Sequence, residues 1–242
     1  RAFKPLAPLR GAVTDETDDR RAATATDDDP HADTQLVTAG APLSAADVAL
    51  VCVHGRGATA EGIVNLVDDR YRHGVALLAP QADRSTWYPN SFVDPVETNE
   101  PRLSSALRAV GRTVERAVEA GVSRERTVLL GFSQGACVVA EYVARTPLRS
   151  GGLAVLSGGL VGETLRDDYA GDLERTPVFL GCSEGDPYIP EERVHDSAAV
   201  FESLNGDVTT RIYGGDDHRV TDDELSWLDG QIDALLSAGE GA

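Results

Sequence analysis

The chain has few positive charges and almost no lysine. Lys and Arg together number 22 against 40 Asp and Glu, which gives a formal net charge of −18 at pH 7, and Lys4 is the only lysine. A surface this acidic repels nucleic acid and anionic membranes. An acid-rich, lysine-poor composition suits a salt-loaded cytoplasm, where a short Debye length screens self-repulsion. The composition therefore predicts a halophilic, cytoplasmic protein that does not bind nucleic acid.

Cysteine and long apolar runs are also scarce. The three cysteines, Cys52, Cys137 and Cys182, lie inside or beside apolar runs. An odd number without paired spacing indicates reduced thiols in a cytosolic protein, and no spacing is typical of metal ligands. No apolar window approaches the ~20 residues of a membrane span. We therefore predict neither a metal site nor stable membrane insertion.

Polar composition separates the start of the chain from the rest. Residues 1 to 33 are rich in Asp, Thr, Ala and Arg and show no sustained period, which predicts an acidic, flexible tail. A chain of 242 residues can form one α/β unit. We therefore expect a single domain over residues 34 to 242.

Short apolar runs alternate with helical periods through this domain. Six runs bounded by Gly or Pro predict buried parallel strands, at 48 to 53, 75 to 79, 127 to 131, 153 to 157, 177 to 181 and 208 to 213. Helices are predicted near 59 to 69, 103 to 118, 134 to 145, 191 to 204 and 222 to 237. The alternation predicts an α/β fold: a mostly parallel, twisted central sheet with helices on both faces and a site at the carboxyl ends of its strands.

The segment Gly-Phe-Ser-Gln-Gly at 131 to 135 joins a predicted strand to a predicted helix. In this context, Gly131 and Gly135 leave room for a tight turn that lifts the Ser133 hydroxyl above the sheet. The hydroxyl then faces the start of the helix, where free N–H groups favour developing negative charge. The pattern predicts that Ser133 is a catalytic nucleophile.

A serine nucleophile needs a base and an acid that orients the base, and this fold supplies both later in the chain. His218 is the predicted base because it lies in a loop after the last strand, whereas His195 lies within a predicted helix. Asp186 is the predicted acid, since it follows a strand and the next residue, a proline, holds the chain extended. Three other carboxylates stay open as alternatives for the acid: Glu184, Asp216 and Asp217.

Two backbone N–H groups are expected to form an oxyanion hole. One is the N–H of Gln134, directly after the nucleophile, and the other is the N–H of Arg56 in a His-Gly-Arg-Gly loop. Gly55 and Gly57 let this loop approach a ligand closely. We interpret His54 as a brace for the loop rather than a catalytic base.

An aromatic-rich loop at 86 to 92 contains two candidate substrate-binding residues, Trp87 and Tyr88. The loop either walls the substrate pocket or forms a local core, and the sequence leaves both open. The segment from 159 to 175 is too short and too polar for a large lid. This argues against a triglyceride lipase.

Five motifs occur in order: His-Gly-x-Gly at 54 to 57, Ala-Pro-Gln-Ala at 79 to 82, Gly-Phe-Ser-Gln-Gly at 131 to 135, Gly-Asp-Pro-Tyr-Ile-Pro at 185 to 190, and Tyr-Gly-Gly-Asp-Asp-His at 213 to 218. On these motifs, the chain from about residue 46 to its end resembles the phospholipase/carboxylesterase family of α/β-hydrolases. That family includes acyl-protein thioesterases and small bacterial carboxylesterases. The resemblance implies a catalytic triad of Ser133, Asp186 and His218.

The chain departs from the family pattern at two positions. Ala136 stands where many relatives have a second glycine, a small change that leaves the turn intact. Arg56 stands where many relatives have an apolar residue. Its side chain either faces the substrate channel, or points to solvent or pairs with a carboxylate.

The main functional hypothesis is a serine esterase that cleaves ester or thioester bonds of small or short-acyl substrates, through an acyl-enzyme and without a cofactor. One alternative is a lactone hydrolase similar to dienelactone hydrolases. Another is a non-catalytic binding protein with the hydrolase fold. A homodimer is left open, because no patch in the sequence requires it.

Overall fold

The computed structural model describes residues 29 to 68 and 72 to 239, and within these residues one seven-stranded sheet is flanked by five α-helices. The strands are β1 (Leu36–Gly40), β2 (Val48–Val53), β3 (Val75–Pro80), β4 (Thr127–Phe132), β5 (Gly152–Leu156), β6 (Pro177–Ser183) and β7 (Asp207–Tyr213). The helices are α1 (Ala60–Asp68), α2 (Arg102–Glu119), α3 (Gln134–Arg145), α4 (Glu191–Ser203) and α5 (Asp222–Gly239).

The sheet has the strand order β1-β3-β2-β4-β5-β6-β7. Strands β2 to β7 pair in parallel, whereas β1 pairs antiparallel with β3. The predicted α/β fold with six parallel strands is thus confirmed. Strand β1 was not predicted: it is a short edge strand with half-exposed side chains, so its sequence contains no continuous apolar run.

Each central strand is buried on both faces, which explains its unbroken apolar sequence. Along β2, Val51 and Val53 pack into the cluster formed with α2, α3 and α4. Leu50 and Cys52 point to the opposite face and pack with α1 and α5. The alternation of side chains along each strand therefore divides the core into two layers, one on each face of the sheet.

The tail predicted over residues 1 to 33 extends too far, because residues at its C-terminal end pack against the folded body. Residues 1 to 28 lie outside the described residues, but His31 is only 1% exposed. Its Nε2–H donates to Trp87 O at 2.9 Å, and its Nδ1 accepts from Asp83 N–H at 3.0 Å. Asp29 forms ion pairs with Arg108 and Arg112 on α2. Residues 29 to 33 therefore belong to the folded body, for which the polar local sequence offered no signal.

Parallel pairing places the carboxyl ends of β2, β4, β6 and β7 at one edge of the sheet. The connection from β5 to β6, residues 157 to 176, contains no helix or strand. It packs onto the body through Leu160 and Val161, both fully buried. This connection therefore forms no large lid over the edge, as predicted for the segment from 159 to 175. Within the described residues, every helix falls short of the length or apolarity needed to cross a bilayer.

Candidate active site

Ser133 occupies a strained turn between β4 and α3, with φ 56° and ψ −124°. A positive φ is uncommon for a residue with a side chain, and such strain is typical of functional sites. A Cβ on Gly131 would overlap the carbonyl group of Gly135. A Cβ on Gly135 would overlap the carbonyl oxygens of Val53 and His54. The two glycines therefore permit the close approach of helix to strand that the turn requires.

We expect Gly135→Ala to destabilise the protein by about 1–3 kcal/mol, because backbone atoms of β2 and the next loop cannot move aside as a flexible side chain could. The measurement is the free energy of unfolding in denaturant. Gly230→Ala is the matched control: nothing lies within 4 Å of its Cβ position on α5. That control should be neutral, or stabilising by up to about 1 kcal/mol. Equal effects of the two changes would contradict the expected clash.

Three polar side chains from separate loops form a continuous chain of hydrogen bonds. Ser133 Oγ lies 2.8 Å from His218 Nε2, and His218 Nδ1 lies 2.7 Å from Asp186 Oδ2. A carboxylate can only accept, so the proton of the neutral imidazole is on Nδ1 and Nε2 is free to accept the serine proton. The Asp186 side chain is fully buried, and that of His218 is 16% exposed.

Backbone groups hold the Asp186 carboxylate in place. Its Oδ1 accepts from Tyr188 N–H at 2.9 Å and from Ile189 N–H at 3.2 Å. The Cys182 thiol lies 3.7 Å from Oδ2. Burial, and then the Asp186 charge, raise the pKa of Cys182 to about 12, so the thiol stays protonated and can donate. Donors on both oxygens therefore fix the orientation of the Asp186 carboxylate.

The alternative acids lie elsewhere. Glu184 and Asp216 are exposed. Asp217 is exposed as well, and its carboxylate pairs with Arg219 at 3.0 Å. His195, the alternative base, lies on an exposed face of α4, where it contacts Glu191 at 3.3 Å. Of the candidate acids and bases, only Asp186 and His218 therefore meet Ser133, through the loops after β4, β6 and β7.

His54 is fully buried at the end of β2 and supports the neighbouring loop. Its Nδ1–H donates to Gly55 O at 2.8 Å, and its Nε2 accepts from Ala82 N–H at 3.0 Å. Protonation of Nε2 would break the second bond and leave a buried charge. Burial accordingly lowers the pKa of His54, and it lowers the pKa of His31 in the same way.

These histidines should make the protein less stable in acid. Their folded pKa values lie below the usual 6.5, so as pH falls through that value the unfolded chain binds protons first. Between about pH 7.5 and about pH 5.5 each histidine should cost up to about 1.4 kcal/mol of unfolding free energy. The measurement is denaturant unfolding at both pH values for wild type and His54→Gln.

Between the two pH values, His54→Gln should lose less unfolding free energy than wild type, because the contribution of His54 is gone. His195→Gln, which removes a histidine whose side chain is 55% exposed, is the control and should keep the wild-type slope. Wild-type stability that does not fall between the two pH values would contradict the prediction.

The two residues predicted to donate to the oxyanion lie on either side of Ser133. Gln134 is the first residue of α3, and the first N–H groups of a helix have no acceptor within the helix. The loop that carries Arg56 passes close by: a Cβ on Gly55 would lie 3.2 Å from Ser133 Cβ. Both backbone segments therefore border the serine, as an oxyanion hole requires.

The Arg56 side chain was expected either to face the substrate channel, or to point to solvent or pair with a carboxylate, and its position only partly matches each alternative. It is exposed and lines the cleft, but it binds backbone rather than a carboxylate. Its guanidinium donates to the carbonyl oxygens of Tyr88, Pro89 and Asn90, at 3.0, 2.8 and 2.7 Å. Arg56 thus ties the loop after β2 to the aromatic-rich loop.

Sequence reasoning missed a second role of Gln134, through its side chain. Its Oε1 accepts from Trp87 N–H at 2.9 Å, and its Nε2–H donates to Tyr88 O at 2.8 Å. The side chain is nearly buried. The only local signal is an amide side chain next to Ser133, and it does not reveal a partner 46 residues away in the chain.

An open cleft of about 690 Å³ adjoins Ser133 and His218. The 86-to-92 loop contributes one wall, to which Tyr88 belongs. Trp87, in contrast, does not line the cleft: it is fully buried, and its Nε1–H donates to His54 O at 2.8 Å. Tyr88 is only 1% exposed and belongs to the same core cluster as Trp87, so the loop is both local core and pocket wall, with the segment from 88 to 92 bordering the cleft.

A further aromatic residue, not predicted, lies at the lip of the cleft. Tyr188 is 68% exposed, and its ring stands edge-on to the His218 imidazole, with centroids 4.9 Å apart at 70°. Phe132 lies 5.0 Å from the same imidazole at 32°. The motif around Asp186 contains this tyrosine, but its contact with the histidine appears only in the fold.

A mostly parallel sheet, a serine on a strand-to-helix turn, and a histidine and carboxylate from later loops define an α/β-hydrolase. Residues 37 to 236 match the family model described as Phospholipase/Carboxylesterase. The chain therefore belongs to the phospholipase/carboxylesterase family, which confirms the resemblance inferred from the motifs.

Individual relatives agree with this membership. Acyl-protein thioesterase 1 of Kluyveromyces lactis is 30% identical over 130 residues, 52% of this chain and 57% of the relative's length. Acyl-protein thioesterase 1 of Gibberella zeae is 26% identical over 211 residues, 77% of this chain and 88% of that protein. A solved phospholipase/carboxylesterase from Dyadobacter fermentans has a TM-score of 0.78 and 38% identity, and it covers 82% of this chain and 96% of its own. Membership supports hydrolysis of ester or thioester bonds.

Proposed function

We propose that the protein is a serine hydrolase that cleaves carboxylic ester or thioester bonds through an acyl-enzyme on Ser133. The observation that carries the proposal is the unbroken chain of hydrogen bonds from Ser133 Oγ through His218 to Asp186, 2.8 and 2.7 Å long. Names of relatives, acyl-protein thioesterase and carboxylesterase, point to the same bond types.

His218 Nε2 takes the proton of Ser133 as Oγ attacks the substrate carbonyl carbon. Asp186 orients the imidazole and stabilises the imidazolium that forms. The N–H groups of Gln134 and Arg56 donate to the oxyanion of the tetrahedral intermediate. His218 then protonates the leaving group, and water releases the acyl group by the same steps.

The cleft favours small or short-acyl substrates. Within the part of the chain that the structure describes, the cleft is open to solvent and no large lid covers it, so a long acyl chain would leave much of its length in water. Apolar walls from Tyr88, Phe92 and Ile189 are mixed with the charged side chains of Arg56 and Asp94. Such a lining suits a substrate with a short apolar part and polar groups nearby.

A fluorophosphonate probe and p-nitrophenyl esters test the proposal together. The probe should label wild type at Ser133, and acetate and butyrate esters should be hydrolysed with a higher kcat/KM than palmitate. Ser203→Ala, which removes an exposed serine on α4, is the control and should be labelled normally. Labelling that persists at the same level in Ser133→Ala would refute Ser133 as the nucleophile. A higher kcat/KM for palmitate would refute the preference for short acyl groups.

The acidic, lysine-poor composition supports a salt-adapted protein of the cytoplasm as part of the proposal. At low ionic strength the Debye length grows and the negative charges repel one another over longer distances. The midpoint of thermal unfolding should therefore fall steeply as salt is removed from molar to millimolar concentrations. A midpoint independent of salt would contradict this part.

A further inference from the structure

Tyr188 is an unusual residue in this protein, because its aromatic ring is exposed although it lies against the His218 imidazole. Among the described residues, only Leu148 and Tyr188 are large apolar side chains classed as exposed, at 53% and 68%. Tyr188 is also anchored, since its N–H is bonded to Asp186. Its ring is thus held at the cleft, against His218, while most of its surface remains open to solvent.

Contacts divide the cleft into two walls. The oxyanion wall is the segment from Tyr88 to Asn90, which the Arg56 and Gln134 side chains hold against the two predicted oxyanion donors. The histidine wall consists of Tyr188 and Ile189, next to His218. The oxyanion wall therefore lies beside the groups predicted to bind the carbonyl oxygen, and the histidine wall lies beside the imidazole.

The chemistry assigns the leaving group to the histidine wall. As the acyl-enzyme forms, a bond is made between Ser133 Oγ and the carbonyl carbon, and the bond from that carbon to the leaving oxygen or sulfur breaks. The leaving atom keeps the electron pair and takes the proton from His218 Nε2. To do so it must lie within about 3 Å of Nε2. The rest of the leaving group then extends past the imidazole.

We propose that Tyr188 is a specificity residue that packs against the leaving group and favours alcohols or thiols with an aromatic or other planar group. The inference rests on the proposed function, because it requires an acyl-enzyme and a leaving group protonated by His218. Aromatic rings prefer edge-to-face or offset contacts at 4.5–7 Å between centroids, and the exposed ring face of Tyr188 is available for one. Water replaces the leaving group during deacylation, so that step does not use this contact.

The test compares benzyl acetate with ethyl acetate, two esters that form the same acetyl-enzyme. In Tyr188→Ala the ratio of kcat/KM for benzyl over ethyl acetate should fall about fivefold, the size expected for one aromatic contact. Tyr188→Phe keeps the ring and should keep the wild-type ratio. Leu148→Ala, the matched loss of an exposed apolar side chain, should also leave the ratio unchanged.

A second measurement uses the reverse direction. When benzyl alcohol competes with water for the acetyl-enzyme, Tyr188→Ala should form less benzyl acetate relative to acetate than wild type, because the accepting alcohol occupies the site that the leaving group vacated. This partition does not depend on how fast the acyl-enzyme forms, so a general loss of structure or activity would not imitate it.

Two results would overturn the inference: an unchanged benzyl-to-ethyl ratio and partition in Tyr188→Ala, or a ratio that falls equally in Tyr188→Phe or Leu148→Ala. Failure of the proposed function would give a different result. Wild type would then hydrolyse neither ester, or Ser133→Ala would hydrolyse both as fast as wild type.

Discussion

Ser133→Ala should reduce kcat/KM for p-nitrophenyl acetate by at least about 10⁴-fold. The change removes the oxygen that forms the acyl-enzyme, whereas the oxyanion donors and the cleft remain. Those groups alone give only the small residual rate seen when a nucleophile is deleted from such a site. The measurement is initial hydrolysis rates of purified wild type and variant in concentrated salt.

The loss should not come from unfolding. Ser133 sits in a strained backbone conformation, and alanine removes a hydrogen bond to His218 without adding bulk. Replacing a strained active-site residue commonly leaves stability unchanged or raises it. The thermal unfolding midpoint should accordingly stay within a few degrees of wild type. Activity of Ser133→Ala within tenfold of wild type would show that Ser133 is not the nucleophile.

Asp186→Asn should lower kcat by about 10³–10⁴-fold, although the side chain keeps its shape. Two backbone N–H groups, of Tyr188 and Ile189, donate to Oδ1, so the single oxygen of asparagine must occupy that position. The amide NH₂ would then face His218 Nδ1 and donate to it. The imidazole proton would move to Nε2, which could no longer accept the proton of Ser133.

Asp217→Asn is the matched control for this prediction. Asp217 precedes His218 in the chain, but its exposed carboxylate pairs with Arg219. Its replacement should change kcat by less than about threefold, as expected for an exposed ion pair. If instead Asp217→Asn gave the large loss and Asp186→Asn the small one, the acid would be Asp217. Measurement of kcat with p-nitrophenyl acetate for both variants decides between them.

The parallel strands could be predicted because burial on both faces demands continuous apolar residues, as in Val48–Val53 of β2. Strand β1 carries no such signal, since an edge strand half exposed to solvent tolerates Thr and Gly. His31 illustrates the same limit: a polar residue within a polar segment became buried through partners at Asp83 and Trp87. Local sequence does not reveal contacts supplied from more than 50 residues away.

The candidate catalytic residues were predicted from their order along the chain and from the room that the backbone needs around Ser133. Gly131 and Gly135 around Ser133 indicate a turn too tight for side chains, whatever the rest of the chain does. For Trp87 and Tyr88, in contrast, the sequence left open whether their loop walls the substrate pocket or forms a local core. The fold buries both side chains in one core cluster, and of the two only Tyr88 also borders the cleft.

By itself, the sequence determined the α/β alternation, the tight turn at Ser133 and the candidates for base and acid. Strand burial, backbone crowding and the position of a loop after a strand can all be read from neighbouring residues or from chain order. Only the tertiary structure decided that Asp186 rather than a neighbouring carboxylate meets His218, that Arg56 and Gln134 brace the cleft, and that Tyr188 overhangs it. Those contacts depend on the directions in which separate loops leave the sheet. Such directions follow from packing across the whole core and are not written in any single segment.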